Sequence, residues 1–209
     1  MTANPVHAAA AEGVAAHGHP LPHLIACSGT RVDLLDPRPE QISIRDIAHH
    51  LALINRFNGA TVAGPYSVAQ HSCVVAGYLA DYGPVAMLLG LLHDAHEAYL
   101  CDLITPVRRA IVPQLYHVLC SRFDGVIRQS LRLTGPSPGI AMAVDHADRI
   151  ALATEWRDLM PGDPPSGYPS PHGKAIKPLP WHRAEEAFLK MYEQLSAASP
   201  RLNIQGDPR

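Results

Sequence analysis

Apolar and polar positions along this chain follow two different periods. In His23–Asp36 (HLIACSGTRVDLLD) two short apolar runs flank Ser28-Gly29, which predicts a small β-hairpin, and Pro37 and Pro39 end it. From Ser43 onward the period is helical. Ser43 is the N-cap of a predicted helix over 44–56, with Ile44, Ile47, Leu51 and Ile54 as its inward stripe and Asn58-Gly59 as the turn beyond it. Ser67 and Gln70 form a capping box that opens a second helix, whose inward face carries Val68, His71, Val75 and Tyr78. Gly83-Pro84 ends that helix. The proline-free stretch Leu88–Asp102 (LLGLLHDAHEAYLCD) predicts a central helix. Pro106 and Pro113 break the chain beyond it. A long helix is expected over Gln114–Leu133, with Leu115, Val118, Leu119, Val126, Ile127 and Leu131 inward. After Gly135–Pro138 another spans 139–160, where Val144, Asp148, Ala151 and Leu159 share a face. Residues 161–180 hold seven prolines and predict an irregular loop, of the sort used as a lid or an insertion. His182–Ala197 closes the pattern as an amphipathic helix burying Ala184, Phe188, Met191 and Leu195. The fold class is therefore all-α: a helical bundle with a small N-terminal β-hairpin.

Composition narrows the picture in a few places. The 209 residues suffice for one domain, expected over 23–198, between a flexible arm at 1–22 and a polar tail at 199–209. A net charge of −2 gives no electrostatic footprint for bulk nucleic acid. The Ala-rich start lacks the basic opening of a signal peptide, and no stretch is long and apolar enough to span a membrane. The four cysteines show no C-x-x-C spacing; Cys73, Cys101 and Cys120 sit in apolar helical patterns and read as buried free thiols. That usage fits a reducing, cytoplasmic setting.

Three predicted helices then carry polar groups where apolar ones are expected: His71, the pair His93-Asp94, and Asp148. Burying such groups is expensive unless each finds a partner. Any one alone is satisfied by a neighbouring side chain as simply as by an ion. Together, two imidazoles and two carboxylates suit one divalent transition ion such as Mn, Co, Fe, Ni or Zn, with coordination positions left for water and a substrate oxygen. On a continuous helix Glu97 lies one turn beyond His93, on the same face, where it can orient or deprotonate a water. Asp145, by contrast, stands at i,i+4 from Arg149 on a neighbouring face and reads as half of a solvated pair.

The order H…HD…D, with the stretches YSVAQHS (66–72), HDAHEAYLCDLITPV (93–107) and DHADRIALATE (145–155), resembles the HD-domain metal-dependent phosphohydrolases over roughly residues 30–160. Within that superfamily the chain looks most like bacterial 5′-deoxynucleotidases and the related phage deoxynucleoside triphosphohydrolases. The resemblance implies an HD-type bundle and roles for single residues. His71, His93, Asp94 and Asp148 match the metal ligands, and Glu97 matches the carboxylate beside the attacking water. Arg56 matches a phosphate-contacting arginine, and Asp102 an acid that contacts the sugar 3′-hydroxyl. Phe57 stands where those enzymes carry a tryptophan, so an indole N–H is missing there. Read without the resemblance, Arg56 is a cation at a helix C-terminus and Asp102 an acid at a helix end. A homodimer is the assembly that related enzymes suggest.

Two other patterns carry less. His93-x-x-His96-Glu97 superficially resembles a zinc peptidase motif, but that chemistry needs histidines at i and i+4 with Glu directly after the first. Gly167-Tyr168-Pro169 matches letters of a cyclic-dinucleotide branch of HD proteins without its surrounding histidines, and reads as coincidence. The leading expectation is metal-dependent cleavage of the 5′-phosphate of (deoxy)nucleoside monophosphates. The alternatives are triphosphohydrolysis of deoxynucleoside triphosphates with release of tripolyphosphate, and a metal-stabilised nucleotide-binding regulatory protein without turnover.

Overall fold

The computed structural model describes residues 22–110, 113–164 and 166–199. The expected arm over 1–22 and tail over 199–209 lie outside these residues except at their inner ends. A two-stranded antiparallel hairpin comes first: β1 (His23–Ile25) pairs with β2 (Arg31–Asp33), Leu24 opposite Val32. Gly29 takes φ 84° in the connecting turn, where a side chain would be strained. The turn is fastened to the bundle by Asp46. This buried carboxylate accepts from the Ser28 N–H (2.9 Å), the Ser28 hydroxyl (2.8 Å) and the Cys27 thiol (2.9 Å).

Eight α-helices come next among the described residues: α1 (Ile44–Leu53), α2 (Val68–Tyr78), α3 (Pro84–Leu91), α4 (Glu97–Leu100), α5 (Thr105–Ala110), α6 (Pro113–Ser130), α7 (Pro138–Leu159) and α8 (Trp181–Ala198). Ser43, Ser67 and Ser137 cap α1, α2 and α7 with their hydroxyls. Helix α2 lies at the centre and packs against α1, α3, α7 and α8. Ile47 and Leu51 of α1, Val68 and Ala76 of α2, Leu88 and Leu91 of α3, Phe123 and Ile127 of α6, and Phe188 of α8 meet in one apolar core. Burying each of the larger of these side chains contributes about 1.5–3 kcal/mol.

Four details depart from the periodicity. Helix α1 stops at Leu53 rather than 56, because Ile54–Arg56 leaves it extended and pairs with Tyr66–Val68; the Arg56 N–H donates to the Tyr66 carbonyl and the Val68 N–H to that of Ile54. The helix expected over 88–102 is two pieces, α3 and α4, joined by tight turns at 92–96. On α6 the buried line is Cys120, Phe123 and Ile127, while Leu115 and Val118 are exposed; its apolar positions span too wide an arc for spacing alone to choose the inward face. Cys101 is exposed, not buried, since it lies in the turn that ends α4. No helix among the described residues is long and apolar enough to cross a membrane.

Helices α2 and α3 approach closely at Gly90. A Cβ there would lie 2.4 Å from Leu79 Cδ1 and 3.5 Å from Ala76 Cα. Gly90→Val should therefore destabilise the fold by about 1–3 kcal/mol through overpacking, as measured by denaturant unfolding. Gly77→Val, where a Cβ meets nothing within 4 Å, is the control and should cost less.

Candidate metal centre

The site lies where α2, the turn after α3, and α7 converge. His71 is fully buried on α2. Its Nδ1 donates to Glu155 Oε1 at 2.6 Å, which turns Nε2 toward the centre. His93 is oriented from within its own turn: Nδ1 donates to the Gly90 carbonyl at 2.8 Å. An uninterrupted helix would give that carbonyl to the Asp94 N–H, so this bond belongs with the end of α3 at Leu91. A carbonyl only accepts, so Nδ1 carries the hydrogen and Nε2 of the neutral ring carries the lone pair. The two Nε2 atoms stand 3.3 Å apart.

Two carboxylates complete the group. Asp94 Oδ2 lies 3.1 Å from His93 Nε2 and 3.6 Å from His71 Nε2. Asp148 Oδ1 lies 3.1 Å from His71 Nε2 and 3.9 Å from His93 Nε2. Donors held about 2.1 Å from a transition ion stand about 3 Å apart at right angles, so this spacing fits a metal ion. His71, His93 and Asp94 form one of three groups of donor atoms, among the described residues, that could hold an ion. The second is Asp94, His96 and Glu97; the third is Cys27, Asp46 and His50, whose donors are occupied in tying the hairpin to α1.

Electrostatics point the same way. Burial resists ionisation of Asp94, Asp148 and Glu155, but His93, His71 and Arg56 outweigh it and lower all three. Burial and Arg56 push the His71 pKa down, yet Glu155 and Asp148 lift it to about 9. Three ionised carboxylates thus face one guanidinium, Arg56. Once His71 gives up its extra proton, as a metal ligand must, two negative charges are left for a divalent cation to balance.

Glu155 is the residue that sequence reasoning did not single out. It is fully buried on α7, donating nothing and accepting from His71, from the Tyr66 hydroxyl (3.0 Å) and from Arg56 Nε (3.1 Å). Its signal was present: it lies seven residues after Asp148, hence on the same helix face. A carboxylate behind a metal-facing histidine fixes the ring and raises its basicity.

The remaining expected residues share one cavity of about 520 Å³ with Asp94 and Asp148. Arg56, Phe57, Glu97 and Asp102 all line it. Arg56 is no helix-end cation: it reaches inward, with Nη1 3.7 Å from Asp94 Oδ2, and its own ring neighbour Phe57 lies 5.4 Å from its guanidinium carbon. Phe57 (φ 55°) and Asn58 (φ 52°) both take left-handed backbone, which turns the Phe57 ring edge-on to Trp156 at 5.9 Å. Glu97 comes close to the metal-facing group through Asp94, not through an unbroken helix face. Burial, Asp94 and Asp102 push its pKa well up against Arg56 and His96, and its Oε2 has no hydrogen-bond partner among the described residues. Cys101 at φ 65° ends α4 and leads the chain to Asp102, whose pKa is also raised by burial. Asp145 is exposed, and Arg149, expected as its partner, donates instead to the Gly167 carbonyl.

Loss of Asp148 in Asp148→Ala should lower the metal content measured by elemental analysis after reconstitution, whereas Asp145→Ala should leave it intact. Glu155→Gln keeps the shape but weakens the hold on His71, and should reduce metal affinity about 10–100-fold.

No family model matches the chain. An uncharacterized protein of Rhodobacter capsulatus is 37% identical over 183 residues, covering 80% of this chain and 92% of its own length. The uncharacterized protein YfdR of Escherichia coli is 33% identical over 162 residues, covering 75% of this chain and 86% of its own. Over such shares of both lengths, this chain belongs to the family that includes these two proteins.

Proposed function

We propose that this protein is a metal-dependent phosphohydrolase of the HD superfamily that removes the 5′-phosphate from deoxynucleoside monophosphates. The observation that carries the reading is the shared cavity: Arg56, Phe57 and Asp102 line the same space as Asp94, Glu97 and Asp148. His71, His93, Asp94 and Asp148 are the residues that would hold the ion. When bound, a divalent ion supplies Lewis acidity toward a phosphoryl oxygen and a nearby water.

The chain's own groups divide the rest of the work. Arg56, whose guanidinium stays charged despite burial beside four carboxylates, neutralises phosphate. Glu97 takes the proton of the attacking water and can return one to the leaving oxygen, a role that a raised carboxyl pKa serves. Asp102 accepts from the sugar 3′-hydroxyl, and the Phe57 ring covers the sugar. The four cysteines are free, in keeping with a cytoplasmic enzyme. A second reading, triphosphohydrolysis, is favoured by one specific feature: Arg108 and Arg109 on α5 also line the cavity, where they can meet further phosphates.

A panel of deoxy- and ribonucleoside mono- and triphosphates, assayed with several divalent metals, tests both readings. Release of orthophosphate from monophosphates supports the first, and tripolyphosphate from triphosphates the second. Hydrolysis of neither would leave a binding protein. Glu97→Ala should keep the metal and lose about two to four orders of magnitude in turnover. Asp102→Asn should narrow the preference for substrates bearing a 3′-hydroxyl by about five- to hundredfold.

A further inference from the structure

The Pro-rich segment after α7 is irregular, as its composition predicts, but it is held down at many points. The Ile176 N–H donates to Asp158 (2.8 Å), and the His172 N–H to the Thr154 hydroxyl (2.9 Å). Arg157 reaches the His172 carbonyl (2.8 Å). Gln70 of α2 binds the far end, donating to the Lys177 carbonyl and accepting from the Leu179 N–H, both at 2.8 Å. Nearest the cavity, Arg149 Nη2 donates to the Gly167 carbonyl at 2.8 Å. The residue after this latch is Tyr168, which lines the cavity and is 39% exposed although its backbone is anchored.

Tyr168 is one of three aromatic side chains on that cavity, with Phe57 and Trp156, which already pack edge to face. Leu152 and Leu103 add apolar surface. A volume of about 520 Å³ exceeds what a phosphate and a sugar need and lies in the range of sites for whole small molecules. An exposed aromatic ring on an anchored backbone loses little freedom on stacking. Arg149 spends its guanidinium on the Gly167 carbonyl rather than on Asp145 one turn away, so its contribution is to the placement of the segment.

We propose that Tyr168, which lines the same cavity as Trp156, is a specificity-determining residue that stacks on the planar heterocycle of the phosphorylated ligand. Arg149 is its positioning residue, acting through Gly167. The proposal rests on the phosphohydrolase reading for its ligand and extends it from the phosphate end of the cavity to the base end.

The test compares deoxyadenosine monophosphate with deoxyribose 5-phosphate, which lacks the ring, on the full-length metal-loaded protein. Tyr168→Ala should raise KM for the nucleotide about five- to hundredfold, the range for loss of one aromatic stack, with kcat and the base-free substrate unchanged. Tyr168→Phe should behave as wild type. Arg149→Ala should shift the nucleotide KM in the same direction with an unchanged melting temperature, and Arg149→Lys should restore part of it. Equal effects on both substrates, or none on either, would overturn the stacking role while leaving the phosphohydrolase intact. If the wild type hydrolyses neither substrate, the functional reading fails and the ring site is judged alone. Quenching of Trp156 fluorescence by deoxyadenosine monophosphate in a Trp181→Phe background would then support it if Tyr168→Ala abolishes the quenching. Absence of quenching in that background would overturn it.

Discussion

A single buried carboxylate, that of Glu155, holds the site together. Removed from water, it is stable as an anion only because three donors converge on it: the Arg56 guanidinium, the His71 ring and the Tyr66 hydroxyl. Those donors come from three separate stretches of chain. Arg56 lies beyond the end of α1, Tyr66 precedes α2, and His71 lies within α2, so the carboxylate on α7 ties the pieces together. The desolvation cost of such a cluster means that it adds little net stability over an apolar packing, but removing one partner strands the others. The physical return is orientation. The same carboxylate aims the Nε2 of His71 and holds the guanidinium of Arg56, so the imidazole and the guanidinium cannot shift independently.

Around that hub the acids fall into two electrostatic classes. Asp94 and Asp148 sit against the imidazoles and stay ionised despite burial. Glu97 and Asp102, buried and beside other carboxylates, are pushed toward the protonated form. Identical chemistry thus yields fixed negative charge in one place and groups able to exchange a proton in another. A cation among His71, His93, Asp94 and Asp148 would relieve the repulsion that raises Glu97, since Asp94 is a main cause of it. A cation there and the proton affinity of Glu97 would in this way be coupled through Asp94.

The sequence was a good guide wherever structure repeats and a poor one wherever it stops. The hairpin and the inward faces of α2 and α8 derive from periods of two and 3.6 residues, and the caps at Ser43 and Ser67 from the serine that precedes each helix. The inward placement of His71 comes from the same rule. The proximity of Glu97 was expected for a reason that does not hold: α3 ends at Leu91, and tight turns, not a continuous helical face, bring it near Asp94. Periodicity cannot report such a break, because His93 Nδ1 competes for the Gly90 carbonyl through a side chain. Glu155 escaped notice for a related reason. Its partners lie far away in sequence, and although its spacing from Asp148 puts it on the inward face, nothing local shows what would satisfy a buried acid there. Tyr168 was dismissed because its neighbouring letters matched the wrong motif. Its neighbour Gly167 accepts from Arg149, which spacing assigned to Asp145.

The backbone is irregular in the places where the site needs it. Phe57 and Asn58 occupy left-handed conformations that cost non-glycine residues free energy, and Cys101 does the same at the end of α4. The first pair sets the aromatic wall beside Arg56; the second leads into Asp102. Between them, residues 92–96 give up regular helix so that His93 and Asp94 can both face His71. A straight helix would put neighbouring side chains about 100° apart and could not converge two adjacent donors on one point. The local cost is offset by the well-packed helices on either side, above all by α2 and α3, which meet at Gly90 closely enough that a Cβ there would displace the Leu79 side chain. Rigidity in the bundle is therefore what permits the strained segments to hold the donors of the site in one fixed arrangement.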